Sequence, residues 1–264
     1  MANTTWSATD KTASVTLSGA NLVATSSGGN QAGRSVDSKT TGKYYWEVNA
    51  TTLANFGNTQ VGVANGTTSI TAFAASSGSG GCVLDRSGNL FSNGSTITGS
   101  AGGLTQGVAA GVALDLTNLR VWIRGGPAAF WNGNSSANPA TNIGGVDISA
   151  YISGSAPGFA VYALAGSGDV LTANFGDSAF SGTVPAGFTS GLPGPPTSAR
   201  LTQISLEQWA SIIPPQMQAT QLAVEIWGST TTTTTRMLTT QMAIEQWSSV
   251  APASSARTSV IILA

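Results

Sequence analysis

No apolar pattern with a helical period runs beyond two turns anywhere before about residue 192. Short stretches of alternating apolar and polar residues take its place, each closed by a cluster of Gly, Ser, Asn or Thr about ten residues after the last. Isolated helices that short are marginal in water. Alternation with a period of two instead places every second side chain on one face of a strand. The pattern therefore predicts an all-β domain of many short strands, a sandwich or a barrel.

The strands can be placed. "ASVTL" and "NLVA" flank "SGA" and predict an opening hairpin; "LFSNGS" turns at Asn93-Gly94; "GVAAGVALDL" and "LRVWIR" pair around Thr117-Asn118. "GFAVYALA" and "DVLTANF" read as a further hairpin across "GSG". "KYYWEVNA", Lys43 to Ala50, is the most aromatic segment of a chain that is only 7% aromatic. Its alternation sets Tyr44, Trp46, Val48 and Ala50 on one face, and Tyr45, Glu47 and Asn49 on the other.

Composition narrows the function. Ten Lys plus Arg against eleven Asp plus Glu give a net charge of −1, with no basic block to neutralise phosphates, so nucleic acid is not expected as a partner. No apolar run is long enough to span a bilayer, and the N-terminal residues lack the apolar core of a signal peptide, which implies synthesis in the cytoplasm. Histidine is absent, which removes the commonest general base and metal ligand. The single cysteine, Cys82, is expected to be a small buried apolar residue.

Asp85-x-Ser87-x-Asn89 has the beginning of a calcium loop, but Thr96 stands where the bidentate acid belongs, so the segment is expected to be an ordinary turn. Asp85, Asp115, Asp147, Asp169 and Asp177 all fall at strand ends or turns, and no two of them stand out as a catalytic pair. The expectation is a protein without cofactor or metal that is not an enzyme. Trp122, with Arg120 and Arg124 on the same face of "LRVWIR", and Trp131, in a Gly/Asn-rich loop, are the candidates for ligand binding. The alternative is that nearby long loops cover both tryptophans.

"GLPGPPTS", Gly191 to Ser198, breaks the pattern with three prolines and two glycines. Domain boundaries are accordingly expected at 1–192 for the β domain, 193–198 for a linker and 199–264 for a C-terminal segment. That segment repeats one motif: "TQISLEQWAS" (202–211), "TQLAVEIWGS" (220–229) and "TQMAIEQWSS" (240–249). Each copy is too short for a stable helix, and read as a strand it puts Gln, Ser or Ala, Glu and Trp on one face. A strand this short must dock on something to bury its apolar side. Trp209, Trp227 and Trp247 are the expected anchors, with Glu207, Glu225 and Glu245 two residues earlier to fix register.

The ordered motifs of the first 190 residues resemble the SPRY domain, a bent antiparallel β-sandwich. "GKYYWEV" (42–48), "VGVA" (61–64), "LDRSGNLFSNG" (84–94) and "GVALDLTNLRVWIR" (111–124) are similar to successive strands of that family. "FWNGNSSANPATNIGG" (130–145) and "LTANFGDSAFSGTVPAGF" (171–188) look like the versions carried by bacteriophage and prophage proteins, and the last is the most specific piece. The family usually carries an acidic residue ahead of the "GVALD" strand, which "TQGVAAG" lacks. More loosely, the C-terminal repeats resemble the tails of some phage virion proteins.

The resemblance implies an all-β, SPRY-like sandwich followed by an extended segment of short repeated strands. In such a sandwich the glycine-aromatic strand is central, so the resemblance places Tyr44 and Trp46 in the core, where large aromatics are most often buried. It also implies a structural role in a virion, as a fibre, decoration or adhesion component of capsid or tail. The partners expected are other virion proteins and further copies of the chain, with a host glycan or receptor as the alternative.

Overall fold

The structure, a computed structural model, describes residues 2–54, 58–75, 78–99 and 101–194. Its strands are, in order, β1 (Trp6–Lys11), β2 (Val15–Ser18), β3 (Val23–Ser26), β4 (Gln31–Lys39), β5 (Lys43–Thr52) and β6 (Gln60–Asn65). A short helix, α1 (Ile70–Ala75), precedes β7 (Gly81–Asp85), β8 (Leu90–Ser92), β9 (Ser95–Thr98), β10 (Ala109–Asp115) and β11 (Arg120–Arg124). The last four are β12 (Val146–Asp147), β13 (Gly158–Leu164), β14 (Val170–Asn174) and β15 (Thr189–Ser190). No helix among the described residues is long and apolar enough to cross a membrane.

The strands form two sheets. One runs β1-β4-β13-β6-β7-β8-β9 and the other β12-β11-β10-β5-β14-β3-β2. All neighbours along both paths are antiparallel. β15 is the exception: it lies parallel to β5 at Tyr44 and Tyr45, continuing the position that β14 holds beside Glu47 to Thr52. The fold is thus an all-β antiparallel sandwich.

Three of the predicted hairpins form. β2 pairs with β3. β8 turns into β9 with Asn93 at φ 48° and Gly94 at φ 81°, the left-handed pair that a tight two-residue turn requires. β10 pairs with β11 from Gly111–Arg124 to Asp115–Arg120.

The fourth does not form. β13 lies between β4 and β6, whereas β14 lies between β3 and β5 in the other sheet, so "GSG" is a crossing between sheets and not a hairpin turn. A buried carboxylate decides it. Asp169 accepts from the backbone N–H of Ala54 (2.8 Å), the hydroxyl of Thr59 (2.7 Å) and the N–H of Gly166 (3.3 Å). Ala54 and Thr59 belong to the segment that changes sheets between β5 and β6, and Gly166 to the β13–β14 crossing itself, so one side chain pins both crossings together.

The main core lies between the sheets. Trp46, Val48 and Ala50 of β5 meet Val61, Leu84 and Leu90 of the facing sheet, all buried. Tyr44 is half-buried at the rim of this cluster, not inside it. Trp6 of β1 is fully buried, edge-on to Tyr162 (4.7 Å) and Phe175 (4.9 Å), and its indole donates to Leu22 O at 3.0 Å. Cys82 is buried in the same cluster, and burial raises its thiol pKa well above the ordinary range.

Both outer faces are covered as well. α1 lays Phe73 over Ala32, Ala64, Val83 and Val161 of the first sheet. Phe188 and half-buried Phe180 and Val184 lie over Tyr45, Ala113 and Trp122 of the second. The two ends of the sandwich meet: Thr4 N–H donates to Leu192 O and Gly194 N–H to Ala2 O, each at 2.9 Å.

Candidate functional site

The alternation of β11 is as expected: Val121 and Ile123 enter the main core, and Trp122 points to the opposite face. That face is not open. Trp122 is 0% exposed, its indole N–H donates to Ile143 O at 2.7 Å, and Phe188 packs edge-on to it at 6.3 Å. The surface exposure that a ligand contact needs is therefore absent at Trp122, because the 130–145 loop and the 177–190 segment lie across it. Gly145 makes the cover possible, since a Cβ there would stand 2.5 Å from the indole.

Asn132 locks this loop, and no sequence signal singled it out. With φ at 51°, it directs its amide at the edge of β11, accepting from Ile123 N–H (2.8 Å) and donating to Val121 O (3.1 Å) and Gly144 O (2.9 Å). A side-chain amide here takes the place of a neighbouring strand where two-residue β12 ends.

Of the remaining candidates, Arg124 and Trp131 come together and Arg120 stands apart. Arg124 is buried, donates to Pro127 O at 3.1 Å and lies 4.3 Å from the ring centre of half-buried Trp131. Arg120 is half-exposed and pairs with Asp147 at 3.3 Å. Beneath the 177–190 segment, Glu47 accepts from Tyr45 OH (2.6 Å), Ser181 N–H (2.8 Å) and Gly182 N–H (2.7 Å). Burial, and then this bond to Glu47, push the Tyr45 phenol far above its usual pKa. Glu47 is thus a buried clamp on the covering segment.

Every aspartate weighed as a catalytic acid is bonded into a turn, a crossing or a loop. Asp85 accepts from Asn89 N–H (2.8 Å) and Asn89 Nδ2 (2.9 Å), which closes the calcium-like segment as an ordinary turn. Asp147 accepts from Ser149 N–H at 2.9 Å, and bonding by the Ser149 side chain and then by this N–H holds its carboxyl below the ordinary range. Asp177 accepts from Asn3 Nδ2 at 2.9 Å.

Asp115 accepts from Thr117 N–H (2.9 Å), Asn118 N–H (3.0 Å), Asn118 Nδ2 (2.7 Å) and the Lys43 ammonium (2.9 Å). Burial opposes its ionisation, but the Asn118 and Lys43 bonds outweigh burial and hold its pKa below the carboxylate norm. A depressed folded-state pKa stabilises above the unfolded value, about 3.9, and the contribution is lost as pH falls through the folded value. Asp115→Asn should therefore lower stability at neutral pH by about 2 kcal/mol, the scale of lost charge-assisted bonds, and flatten the acid limb below about pH 4. Denaturation midpoints across that range check it; an unchanged acid limb would remove Asp115 from the account.

Two recesses open near the β8–β9 hairpin, the first between the end of β6, the β8–β9 turn and residues 149–156, the second where β9 of one sheet approaches β12 of the other. The first, about 320 Å³, is walled by hydroxyls and amides, among them Thr67, Thr68, Asn93, Ser149 and Ser153. The second, about 420 Å³, is lined by Ile97, Thr98, Asn134, Gly144, Val146 and Asp147, among others. Tyr151, in the loop after β12, is tied to two strands of the first sheet at the first recess, its hydroxyl 2.8 Å from Ser92 Oγ of β8 and its carbonyl accepting from Asn65 Nδ2 of β6 at 3.0 Å. Trp209, Trp227, Trp247, Glu207, Glu225 and Glu245 lie outside the described residues.

No family model and no curated protein matches the sequence. Among solved structures, the chain is similar to the SPRY domain of human HERC1, at 19% identity and a TM-score of 0.47, over 64% of this chain and 96% of that one. It is similar also to the TRIM65 PSpry domain, at 18% identity and a TM-score of 0.47, over 65% of this chain and 92% of that one. Stonustoxin matches at 15% identity and a TM-score of 0.44, over 65% of this chain and 28% of that one.

Proposed function

We propose that the chain is a non-enzymatic component of a bacteriophage or prophage virion. On this reading a SPRY-like sandwich serves as a protein-binding module and the C-terminal repeats anchor it to capsid or tail subunits. The observation that carries the binding role is the chemistry of the sandwich: its carboxylates are engaged in turns, crossings and ion pairs, and its recesses are walled by hydroxyl, amide and aliphatic groups. Such walls select a partner by shape and hydrogen bonding, and function is argued from a site, not from a fold. The SPRY-like reading is supported by the order of the sequence motifs, which fall on consecutive strands of one sandwich. The virion reading is supported by the phage-like "LTANFGDSAFSGTVPAGF" ending and by the repeats.

In this role the repeats dock by β-augmentation, backbone bonds supplying affinity and alternate side chains register. Trp209, Trp227 and Trp247 are the anchors, Glu207, Glu225 and Glu245 fix register, and three linked weak contacts hold as one strong one. Deleting residues 198–264 should leave a folded sandwich that no longer joins the particle. Replacing one of the three tryptophans by alanine should weaken incorporation, and replacing all three should abolish it. Quantifying the protein in purified particles checks this; normal incorporation of the truncated chain overturns the anchoring role.

A carbohydrate- or receptor-binding module is the second reading. The neutral, hydroxyl-rich recess beside Thr67 and Ser149 favours it, and glycan-array binding by the chain tests it.

A further inference from the structure

An asparagine followed by glycine readily loses its side-chain amide, because glycine has no side chain to hinder attack of its backbone nitrogen on the asparagine Cγ. The chain has three such pairs: Asn65-Gly66, Asn93-Gly94 and Asn132-Gly133. The fold treats them unequally.

Two are held. Asn65 is 5% exposed; its Oδ1 accepts from Thr67 N–H (3.2 Å) and Thr68 N–H (2.9 Å), and its Nδ2 donates to Tyr151 O (3.0 Å). Asn132 is 8% exposed, with its amide bonded to Ile123, Val121 and Gly144 at the edge of β11. Swinging either Cγ toward the following nitrogen breaks three hydrogen bonds inside a packed wall.

The third is loose. Asn93 and Gly94 are both exposed. Asn93 Oδ1 accepts a single bond, from Gly80 N–H at 3.0 Å, and its Nδ2 donates none among the described residues. A Cβ placed on Gly94 would meet nothing within 4 Å. The pair forms the tip between β8 and β9, and β9 is the edge strand of its sheet. Such a tip, with few packed neighbours, opens at little cost in free energy.

From this we infer that Asn93 is a site of spontaneous covalent modification, converted to aspartate and isoaspartate in the folded protein while Asn65 and Asn132 persist. The Gly94 nitrogen bonds to Asn93 Cγ, the Cγ–Nδ2 bond breaks, and ammonia leaves with the Gly94 amide proton. Water then opens the cyclic imide at either carbonyl and leaves a carboxylate. Asn93 lines the first recess, whose lining residues carry no charge, so each event writes a negative charge into that wall. The inference rests on the turn alone and stands apart from both functional readings.

Incubation of the full chain at mildly alkaline pH, in buffer and in denaturant, tests it. Trypsin places the three pairs on separate peptides, 44–86, 87–120 and 125–200, because Lys43, Arg86, Arg120, Arg124 and Arg200 bound them. Fragment mass spectra read each asparagine, and enzymatic methylation of isoaspartate reads the product. In buffer, Asn93 should convert at least about tenfold faster than Asn65 and Asn132, which react only from locally opened forms. In denaturant the three should convert at similar rates. Asn93→Gln should remove the fast conversion, since the longer side chain closes a larger ring slowly. No conversion at Asn93 in buffer, equal rates there, or a lead by either other pair overturns the proposal. So does fast conversion of the 87–120 peptide that survives Asn93→Gln. The same order of rates in denaturant also overturns it, by tracing the preference to neighbouring residues instead of the fold.

Discussion

Replacing Trp46 with alanine should cost the sandwich about 3–5 kcal/mol, the range found when a large aromatic leaves a packed core. Trp46 is 0% exposed, stands opposite Val112 in the ladder and belongs to the cluster that joins the two sheets. Alanine there removes the widest side chain of the central strand and leaves a cavity that the flanking ladders, on β10 and β14, resist closing. Its indole nitrogen is buried with no hydrogen-bond partner among the described groups, so part of the residue's contribution is already offset. Trp46→Phe, which drops that donor and keeps most of the volume, should accordingly cost less than about 1.5 kcal/mol. Chemical denaturation followed by the strand signal measures both. A loss below about 1 kcal/mol for the alanine variant, the scale of a surface change, would place Trp46 outside the core.

Trp122→Ala should be nearly as damaging, again about 3–5 kcal/mol, although the residue sits on the outer face of its sheet. The indole is fully buried between β11 and its two covers, and its loss leaves Ile143 O without a donor and Phe188 without its edge-on partner. The same denaturation experiment separates structure from recognition. A ligand-contacting Trp122 would lose binding at unchanged stability, and that outcome would contradict the burial described above.

These two tryptophans show how far the sequence could be read. Alternation along β5 and β11 correctly assigned each side chain to a face, because successive residues of a strand must point in opposite directions. It did not say what covers the face. In a sandwich with bare outer sides, Trp122 would be exposed; here residues 130–145 and 177–190 cross it, and irregular chain has no period to read. Glu47 fell on the expected polar face, yet nothing local showed that the donors to its carboxylate were the N–H groups of Ser181 and Gly182, more than a hundred residues away.

Turn chemistry behaved the same way. Asn93-Gly94 and the Asp115 turn were legible because their residues close the loop by themselves. "GSG" was misread because glycine and serine suit a hairpin turn and a crossing between sheets equally well. The deciding group, Asp169, acts on Ala54 and Thr59, remote in sequence. β1, with Trp6, was not anticipated at all, since its single buried aromatic is flanked by Thr, Ser and Ala and shows no alternation. Of the site, the sequence offered residues, while the recess beside Ile97 arises where two sheet edges meet.

The closure of the sandwich upon itself has a mechanical consequence. Residues 191–194 are stitched to Tyr45, Phe175, Thr4 and Ala2 by backbone bonds that follow one another along the strand. A pull on Gly194 directed away from the sheet meets them in sequence, first at Ala2, then at Leu192, then at Gly191, so they open singly, like a zipper, whereas a pull along the strands would load them together in shear. Tension on this side of the molecule would peel a few residues from the surface well before it reached Trp6 or Trp46, making the closing seam a yielding element that protects the layers behind it.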